Sequence, residues 1–296
     1  MNELANIIAV GLLLGGTYAL VSVGLNLIFG VIRIVNFAQG EFLMLGMYGT
    51  YVVYAVLGVD PYLAAFVVVP ALFVFGAAVY WFLLRPLQGM PMMQVFATFG
   101  LLIVLENIVL ALTGGTALSV NSVLTGHSLT IAGVTLSLSR LLVFVVATAV
   151  ALGLGLYLRL SIHGKAIRAV AQDRRAAQLM GIRIGRIYTV TFGFGAALAG
   201  LAGCLLAPLY SMSPQIGTSF ILPAFAVVVL GGLGSVKGAF IGGLIVGLTE
   251  ATAGFYLDPA LKHAVLFMVF IAVLIVRPSG LFGVVGAEEV GLHAEH

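Results

Sequence analysis

Long uncharged stretches dominate the pattern of hydrophobic and polar positions in this chain. A helix needs about 20 apolar residues to cross the hydrocarbon core of a bilayer. Stretches free of Asp, Glu, Lys and Arg run over residues 4–32, 42–59, 61–84, 86–105, 141–158 and 187–236. The last one contains Pro208 and Pro214, so we expect it to hold two spans. With two weaker spans at about 238–256 and 260–276, the pattern predicts nine membrane-spanning helices, or eight if one short segment is re-entrant.

The composition indicates the same class of protein. Of the 296 residues, 62% are hydrophobic and 8% are charged, whereas about 25% of residues are charged in an average soluble domain. So few charges cannot cover the surface of a water-soluble globule, which excludes soluble enzymes, nucleic-acid binders and disordered chains. We therefore predict an all-α polytopic membrane protein.

The basic residues predict the orientation of the spans. The loop 159–186 holds seven of the 13 Lys and Arg residues, so we take it as cytoplasmic. Counting spans outward from this loop places four more basic residues inside and two outside. The inside residues are Arg33, Arg85, Lys237 and Arg277, and the outside residues are Arg140 and Lys262. This bias predicts that the N-terminus lies outside and the C-terminus lies in the cytoplasm.

Glycine spacing and polar breaks mark further features of the spans. Gly11/Gly15, Gly234/Gly238/Gly242 and Gly243/Gly247 have the spacing that lets helices approach closely in lipid, so we interpret them as packing contacts. Two polar breaks containing glycine, at 36–42 and 231–240, separate apolar helices. Paired breaks of this kind point to the substrate route of a transporter.

The longest outside loop, 113–139, alternates apolar and polar residues around Ala132 and Gly133. This alternation predicts a small β-hairpin. The loop could contact a partner outside the membrane or serve only as a connector.

Catalytic and metal-binding patterns are missing from the sequence. The single Gly-Lys pair, Gly164-Lys165, has Arg159 in place of the first glycine of a phosphate-binding loop. The five histidines form no ligand cluster in the sequence. We therefore predict that the chain is not an enzyme and binds no metal or cofactor.

The inside loop carries the most informative soluble segment. Gly164 and Gly181 bracket a stretch rich in Ala, Gln and Arg, which favours a short helix. The spacing of its small apolar residues predicts one apolar face, formed by Ala169, Ala176, Ala177 and Met180. Such a helix could insert into a groove on another protein, or it could be a basic helix attracted to anionic lipid.

Several polar residues fall inside predicted spans, where a carboxylate is expensive. Glu106, Asn107 and Glu250 could line a route for solute or could bond to neighbouring helices. At the start of the second span, Glu41 suits the helix dipole and Asn36 could be an N-cap. For Tyr18 and Asn26 in the first span, buried hydrogen bonding is the favoured interpretation. Asp258 and Lys262 are spaced as a weak surface pair.

Seven segments of the chain resemble the permeases of branched-chain amino acid ABC importers. They are Gly15-Gly-Thr-Tyr-Ala-Leu20 with Gly24–Gly30 and Asn36–Glu41, Thr98–Asn107, Arg168–Ile182, Val229–Gly238 and Arg277-Pro-Ser-Gly-Leu-Phe-Gly283. The likeness covers almost the whole chain. Its length is similar to that of the shorter of the two permease subunits in these systems.

The resemblance implies a single permease domain over residues 1–296, with a cytoplasmic coupling loop at 161–186. It implies a bacterial cytoplasmic-membrane location and a second permease, either a longer paralogue or an identical chain. It also implies two cytosolic ATPases that use ATP and Mg²⁺, and an extracytoplasmic binding protein. Related permeases carry urea, short amides or aromatic acids, so the substrate within the family stays open. A self-contained secondary transporter or channel is the alternative.

The resemblance and the polar residues within the predicted spans together give two sets of candidate functional residues. The set expected to couple the chain to the ATPase is Arg168, Ala169, Gln172, Asp173, Arg174, Ala176, Ala177, Met180, Gly181 and Ile182. The set expected along the pathway is Tyr18, Asn26, Asn36, Gln39, Gly40, Glu41, Glu106, Asn107 and Glu250.

Overall fold

The computed structural model describes residues 2–131, 134–257, 261–277 and 279–283. Their helices are α1 (Asn2–Ile32), α2 (Gln39–Leu57), α3 (Pro61–Val79), α4 (Pro91–Thr113), α5 (Leu138–Leu160), α6 (Ile162–Gln172), α7 (Arg174–Leu179), α8 (Ile184–Leu206), α9 (Ile216–Gly231), α10 (Val236–Tyr256) and α11 (Lys262–Val276). A π-helical turn, Tyr80–Leu84, and a 3₁₀ turn, Arg85–Leu87, extend α3. Two short strands, β1 (Ser128–Ile131) and β2 (Val134–Ser137), precede α5. The fold is therefore all-α apart from one hairpin.

Seven of the described helices are long and apolar enough to cross a membrane: α1, α2, α3 with its extension, α4, α5, α8 and α10. The two remaining apolar helices, α9 and α11, have 16 and 15 residues. At 1.5 Å per residue they reach about 24 Å, which is short of a hydrocarbon core of about 30 Å. The multi-pass class is thus confirmed, while the expected total of eight or nine spans stays a prediction. As expected, the segment with Pro208 and Pro214 separates two helices, α8 and α9.

Helix α1 packs against α10 through glycines. A Cβ atom added to Gly15 would lie 2.7 Å from Leu244 Cα, and one added to Gly243 would lie 2.7 Å from Ala19 Cα. Gly247 likewise meets the backbone of Gly15. Real side chains do not fit at such distances, so these two backbones touch directly. The packing interpretation of the Gly11/Gly15 and Gly243/Gly247 pairs is confirmed.

Contacts between loops group them at two ends of the bundle. At one end, an Arg33 guanidinium N–H donates to the carbonyl of Ala171 over 3.4 Å. At the same end, the Phe282 N–H donates to the Gly231 carbonyl over 3.0 Å, so the segment after α11 covers the end of α9. At the opposite end, Leu118 and Met212 form an isolated antiparallel bridge. This grouping agrees with the loop arrangement inferred from the basic residues, but which end faces the cytoplasm stays a prediction.

The predicted hairpin in the loop before α5 is present. Strands β1 and β2 pair antiparallel, with Ser128 opposite Ser137 and Leu129 opposite Leu136. The backbone N–H of Thr135 donates to Asn6 Oδ1 over 3.2 Å, which ties the hairpin to the start of α1. The expected turn at Ala132 and Gly133 lies outside the described residues.

Candidate transport route and coupling segment

Glu250 on α10 is a buried carboxylate with both oxygens engaged. Its side chain is almost completely buried. The Tyr18 hydroxyl donates to Oε2 over 2.6 Å, and Lys262 Nζ lies 2.9 Å from Oε1. The predicted surface pair of Lys262 with Asp258 stays a prediction, because Asp258 lies outside the described residues. Lys262 is 37% exposed, and its ammonium reaches the buried carboxylate of Glu250. Tyr18 and Glu250 are 232 positions apart in the chain, so no local pattern in the sequence indicates this hydrogen bond.

Glu41, in the first turn of α2, is also buried, but unlike Glu250 its carboxylate oxygens are not paired with other side chains of the described residues. Its side chain is fully buried, and neither carboxylate oxygen has a hydrogen-bond partner among the described residues. The adjacent Gly40 touches the backbone of Gly217, which brings α2 and α9 into direct contact. A Cβ added to Gly217 would lie 2.8 Å from Glu41 Oε1. The carboxylate therefore lies against bare backbone.

The polar residues just before Glu41 brace the break between α1 and α2. Asn36 Oδ1 accepts from the Ala38 N–H over 3.2 Å, and Asn36 Nδ2 donates to Gln39 Oε1 over 3.1 Å. Gln39 Nε2 donates to the Gly195 carbonyl of α8 over 3.1 Å. The N-cap position of α2 is Ala38, so the expectation that Asn36 is the N-cap is wrong. Asn36 instead stabilises the turn that leads into the helix.

Asn26 clamps the second break, the turn between α9 and α10. Its Nδ2 donates to the carbonyls of Ser235 over 2.8 Å and of Gly232 over 3.2 Å. Its Oδ1 accepts from the Gly234 N–H. All three bonds are to buried or partly buried backbone, which confirms the interpretation of Asn26 as a buried hydrogen-bonding residue.

Helix α4 packs loosely on the bundle and carries Glu106 and Asn107. It buries only four side chains, those of Gln94, Thr98, Leu105 and Val109. Glu106 is half-buried, whereas Asn107 is exposed and its Nδ2 donates to the Ile103 carbonyl of its own helix over 2.8 Å. The side chains of Glu106 and Asn107 therefore differ in burial, although the two residues are neighbours in the chain.

The side chain of Thr98 makes a contact between helices that the sequence does not predict. Its hydroxyl accepts from the Phe37 N–H over 3.3 Å, and the oxygen lies 2.9 Å from the Val95 carbonyl of its own helix and 3.3 Å from the Val35 carbonyl. It thereby joins α4 to the break before Gly40. In the sequence, Thr98 stands out only as part of the segment 98–107 that resembles the family. A threonine in an apolar stretch has no local pattern that reveals a distant hydrogen-bond partner.

The loop between α5 and α8 forms two helices, α6 and α7, not one. Helix α6 is capped by Ser161, whose Oγ accepts from the Gly164 N–H over 2.8 Å. Asp173 ends α6 and caps α7, because its Oδ1 accepts from the Ala176 N–H over 3.0 Å. The expectation of a single helix is therefore wrong, and a capping aspartate is the local reason.

The small residues of this loop do not share one apolar face. Helix α6 packs against α1, α5 and α8, with Ile167 and Val170 buried. Of the ten predicted coupling residues, one is buried (Ala177), two are half-buried (Ala169, Ile182) and seven are exposed (Arg168, Gln172, Asp173, Arg174, Ala176, Met180, Gly181). The expected face of Ala169, Ala176, Ala177 and Met180 is thus wrong. The exposed apolar pair is instead Leu179 and Met180, at 89% and 82% exposure.

A polar cluster holds the opposite end of the bundle together. Asp60 caps α3 by accepting from the Tyr62 N–H over 2.9 Å, and its other oxygen accepts from the Ser122 hydroxyl over 2.8 Å and the Val123 N–H over 3.0 Å. Partial burial opposes ionisation, but these hydrogen bonds outweigh it and hold the pKa of Asp60 below its usual value. Asp60 thus anchors the loop between α4 and β1 as a carboxylate.

This bundle of apolar helices, with buried polar groups and glycine-mediated contacts, has the architecture of a multi-pass transport protein. Residues 7–274 match the family described as branched-chain amino acid transport system, permease component. The chain is 34% identical to the high-affinity branched-chain amino acid transport system permease protein LivH of Escherichia coli, over 95% of this chain and 96% of LivH. It is 35% identical, with the same coverage, to the corresponding permease protein BraD of Pseudomonas aeruginosa.

The chain therefore belongs to the family of permease components of branched-chain amino acid transport systems. It is a permease subunit of an ABC importer, as the sequence analysis predicted, and is not itself the catalytic subunit. A shorter match, 35% identical over 28% of each chain, is to the ribose import permease protein RbsC of Bacillus subtilis. No solved structure matches the chain.

Proposed function

We propose that this chain forms half of the pathway by which an ABC importer moves branched-chain amino acids, or a related small polar molecule, into a bacterial cell. The other half would be a second permease, either a longer paralogue or an identical chain. This substrate assignment is supported by the similarity to LivH and BraD, which are high-affinity branched-chain amino acid transport system permease proteins and match 95% of this chain.

The exposed end of the α6–α7 segment carries this proposal. Leu179 and Met180 lie at its tip, next to the exposed Arg174 and Arg175, while Ile167, Val170 and Ala177 hold the segment against the bundle. Two neighbouring apolar side chains beside cationic ones suit a groove on a partner protein. The partner we propose is one of two cytosolic ATPases that use ATP and Mg²⁺. In this proposal the end of the bundle that carries α6 and α7 faces the cytoplasm, and the chain lies in the cytoplasmic membrane.

The opposite end of the bundle would then receive the extracytoplasmic binding protein. The hairpin β1–β2 and the loop held by Asp60 lie at this end. Affinity for the substrate can reside in that soluble protein, so the route itself need not bind tightly. ATP-driven closure of the ATPases would move the permease helices between outward and inward access through the α6–α7 segment.

The test is co-purification of the complete importer with a Leu179→Glu variant. A charge at the tip should abolish recovery of the ATPases with the permease and abolish ATP-dependent leucine uptake, because the apolar contact is lost. Val123→Glu is the matched control, since Val123 is also exposed, at 76%, but lies at the opposite end. That variant should retain the ATPases.

Ala177 is not suited to this test, because it is buried and a larger side chain there would disturb the fold. Normal recovery of ATPases with Leu179→Glu would contradict the docking assignment. Ion-gradient-driven flux through the purified chain alone would favour the alternative, a self-contained transporter or channel.

A further inference from the structure

We propose that a cavity at the α6–α7 end of the bundle binds the phosphate headgroup of an anionic phospholipid through Arg33 and Arg174. The cavity lies between the end of α1, the start of α4, the start of α8 and the turn between α6 and α7. We call it the arginine cavity. Its volume is about 490 Å³, which is within the range of sites that hold small molecules. The inference goes beyond the proposed function, because it does not depend on the transported substrate.

Both arginines of the cavity have N–H groups available for an anion. Arg33 Nη2 donates to the Ala171 carbonyl over 3.4 Å, a long bond that uses one of its several N–H donors. The guanidinium carbon of Arg174 lies 5.8 Å from the centroid of the Tyr188 ring. Both side chains are exposed, and neither forms an ion pair with a carboxylate of the described residues.

The cavity also contains one acidic residue, Asp173, so its charged groups are two guanidiniums and one carboxylate. Asp173 Oδ1 already accepts from the Ala176 N–H over 3.0 Å as the cap of α7. The other polar side chains of the lining are uncharged, namely Gln94, Gln172 and Tyr188. The excess of positive charge favours an anion. A phosphate is the anion whose oxygens accept paired hydrogen bonds from the planar guanidinium group.

The backbone of Arg33 is in a conformation that usually selects glycine. Arg33 directly follows the last residue of α1 and has a φ of 60°. Glycine is the common residue at such a helix end because it has no Cβ to oppose a positive φ. An arginine therefore costs conformational energy here that glycine would not. A side chain that binds a ligand gives a physical reason for this cost.

The position of the cavity favours a lipid over a soluble phosphate. Arg33 follows α1 and Pro91 begins α4, and both helices are long and apolar enough to cross a membrane. The cavity therefore lies at the level where the hydrocarbon core ends and the headgroups begin. In the first turn of α4, Met92 and Met93 are exposed. Their apolar side chains provide a surface for acyl chains next to the site of the phosphate.

A bound phosphate would also restrain the α6–α7 segment. Helix α7 begins at Arg174 and packs against α6 and α8. A phosphate that accepts from both Arg174 and Arg33 would add a link from α7 to the end of α1. If α7 contacts an ATPase as we propose, this link would stiffen the segment that makes the contact.

The inference is tested by the melting temperature of the purified full-length chain, freed of lipid in a neutral detergent. Dioctanoyl phosphatidylglycerol should raise the melting temperature by about 3–5 °C, because a ligand of the folded state stabilises it. Dioctanoyl phosphatidylcholine has the same acyl chains without the net charge and should give a smaller shift. Inorganic phosphate at the same concentration should give almost none, because it has no acyl chains.

Charge-removing variants locate the site. Arg33→Gln and Arg174→Gln should each lose about half or more of the shift given by phosphatidylglycerol, because each removes one guanidinium. Arg175→Gln is the matched control, since Arg175 is the exposed neighbour in α7 and does not line the cavity. It should keep the full shift. Arg33→Lys keeps the charge without the planar donor group and should keep part of it.

Each shift is taken relative to the same variant without lipid, so a change in basal stability does not alter the comparison. No shift in the wild type, or a full shift in either Arg33→Gln or Arg174→Gln, would overturn the inference. An equal loss in Arg175→Gln would overturn it too, because it would show general attraction to a basic surface.

An equal shift with inorganic phosphate would identify a soluble anion and would contradict the lipid assignment. None of these measurements uses the substrate, the ATPases or the binding protein. Failure here therefore leaves the proposed function intact, and that function is tested separately by Leu179→Glu.

Discussion

The Tyr18 hydroxyl donates a 2.6 Å hydrogen bond to Glu250 Oε2, although the two residues are 232 positions apart in the chain. Lys262 Nζ completes the cluster at 2.9 Å from the other oxygen of the same carboxylate. The cluster joins α1, α10 and the first residue of α11. Its geometry explains how a carboxylate can be tolerated in this part of the bundle.

Tyr18→Phe should destabilise the protein by about 1.5–3 kcal/mol, because it removes a donor from a buried charged acceptor. Denaturant unfolding of the purified permease in detergent measures this change. Tyr256→Phe is the matched control on the partner helix, since Tyr256 is 66% exposed. Equal stability of the two variants would show that the Tyr18–Glu250 hydrogen bond does not contribute to the free energy of unfolding.

A double-mutant cycle over Lys262→Met and Glu250→Gln should reveal coupling between the two residues. Lys262→Met alone leaves the Glu250 carboxylate without its cation and should lower the free energy of unfolding by about 1–3 kcal/mol. This is less than the usual loss for a fully buried pair, because the lysine is 37% exposed. The double variant should lose less than the sum of the single variants. Strict additivity in the unfolding free energies would show that the ion pair contributes nothing.

Gly247→Ala should weaken the contact between α1 and α10 by about 2–4 kcal/mol, because its methyl group would meet the backbone of Gly15. Gly254→Ala, on the same helix, is the control, since nothing lies within 4 Å of a Cβ at that position. That variant should be neutral or stabilising by about 0.5–1 kcal/mol, the usual gain of alanine over glycine in a helix. A melting curve for each variant decides between these outcomes.

Acid should loosen the loop held by Asp60. The hydrogen bonds from Tyr62, Ser122 and Val123 hold the folded-state pKa of Asp60 below its ordinary value of 3.8. Its contribution to stability is therefore complete above that value and is lost as the pH falls through the lower folded-state pKa.

Asp60→Asn keeps a capping side chain but removes the charge, so the stability difference from the wild type should be constant near neutral pH and shrink in acid. Unfolding measured from pH 7 down to about pH 2 tests this expectation, because a carboxyl with a lowered pKa takes up its proton at and below the ordinary range for Asp. A difference that does not change with pH would show that the charge of Asp60 is unimportant.

Much of the architecture could be predicted from local sequence. A charge-free stretch such as 4–32 has one stable solution in a bilayer, a spanning helix, because every backbone polar group must be satisfied within the segment. Pro208 and Pro214 separate α8 from α9 because a proline has no backbone N–H to donate and its ring clashes with the preceding helical turn. Glycines such as Gly15 and Gly243 indicated close packing in the same local way.

Other features depend on groups that meet only after folding. Nothing near Lys262 in the sequence distinguishes a surface lysine from one that reaches a carboxylate on another helix. The sequence pattern does not predict the division between α6 and α7 at Asp173, because helix-forming residues on both sides outweigh one capping signal.

The sequence by itself therefore determined the membrane class, the positions of most helices and the family, because hydropathy and motif identity are properties of neighbouring residues. Only the tertiary structure decided that Glu250 is paired with Tyr18 and Lys262, while Glu41 has no hydrogen-bond partner among the described residues. Both are glutamates in apolar helices, and the cost of burying each charge is set by groups that distant parts of the chain bring to it.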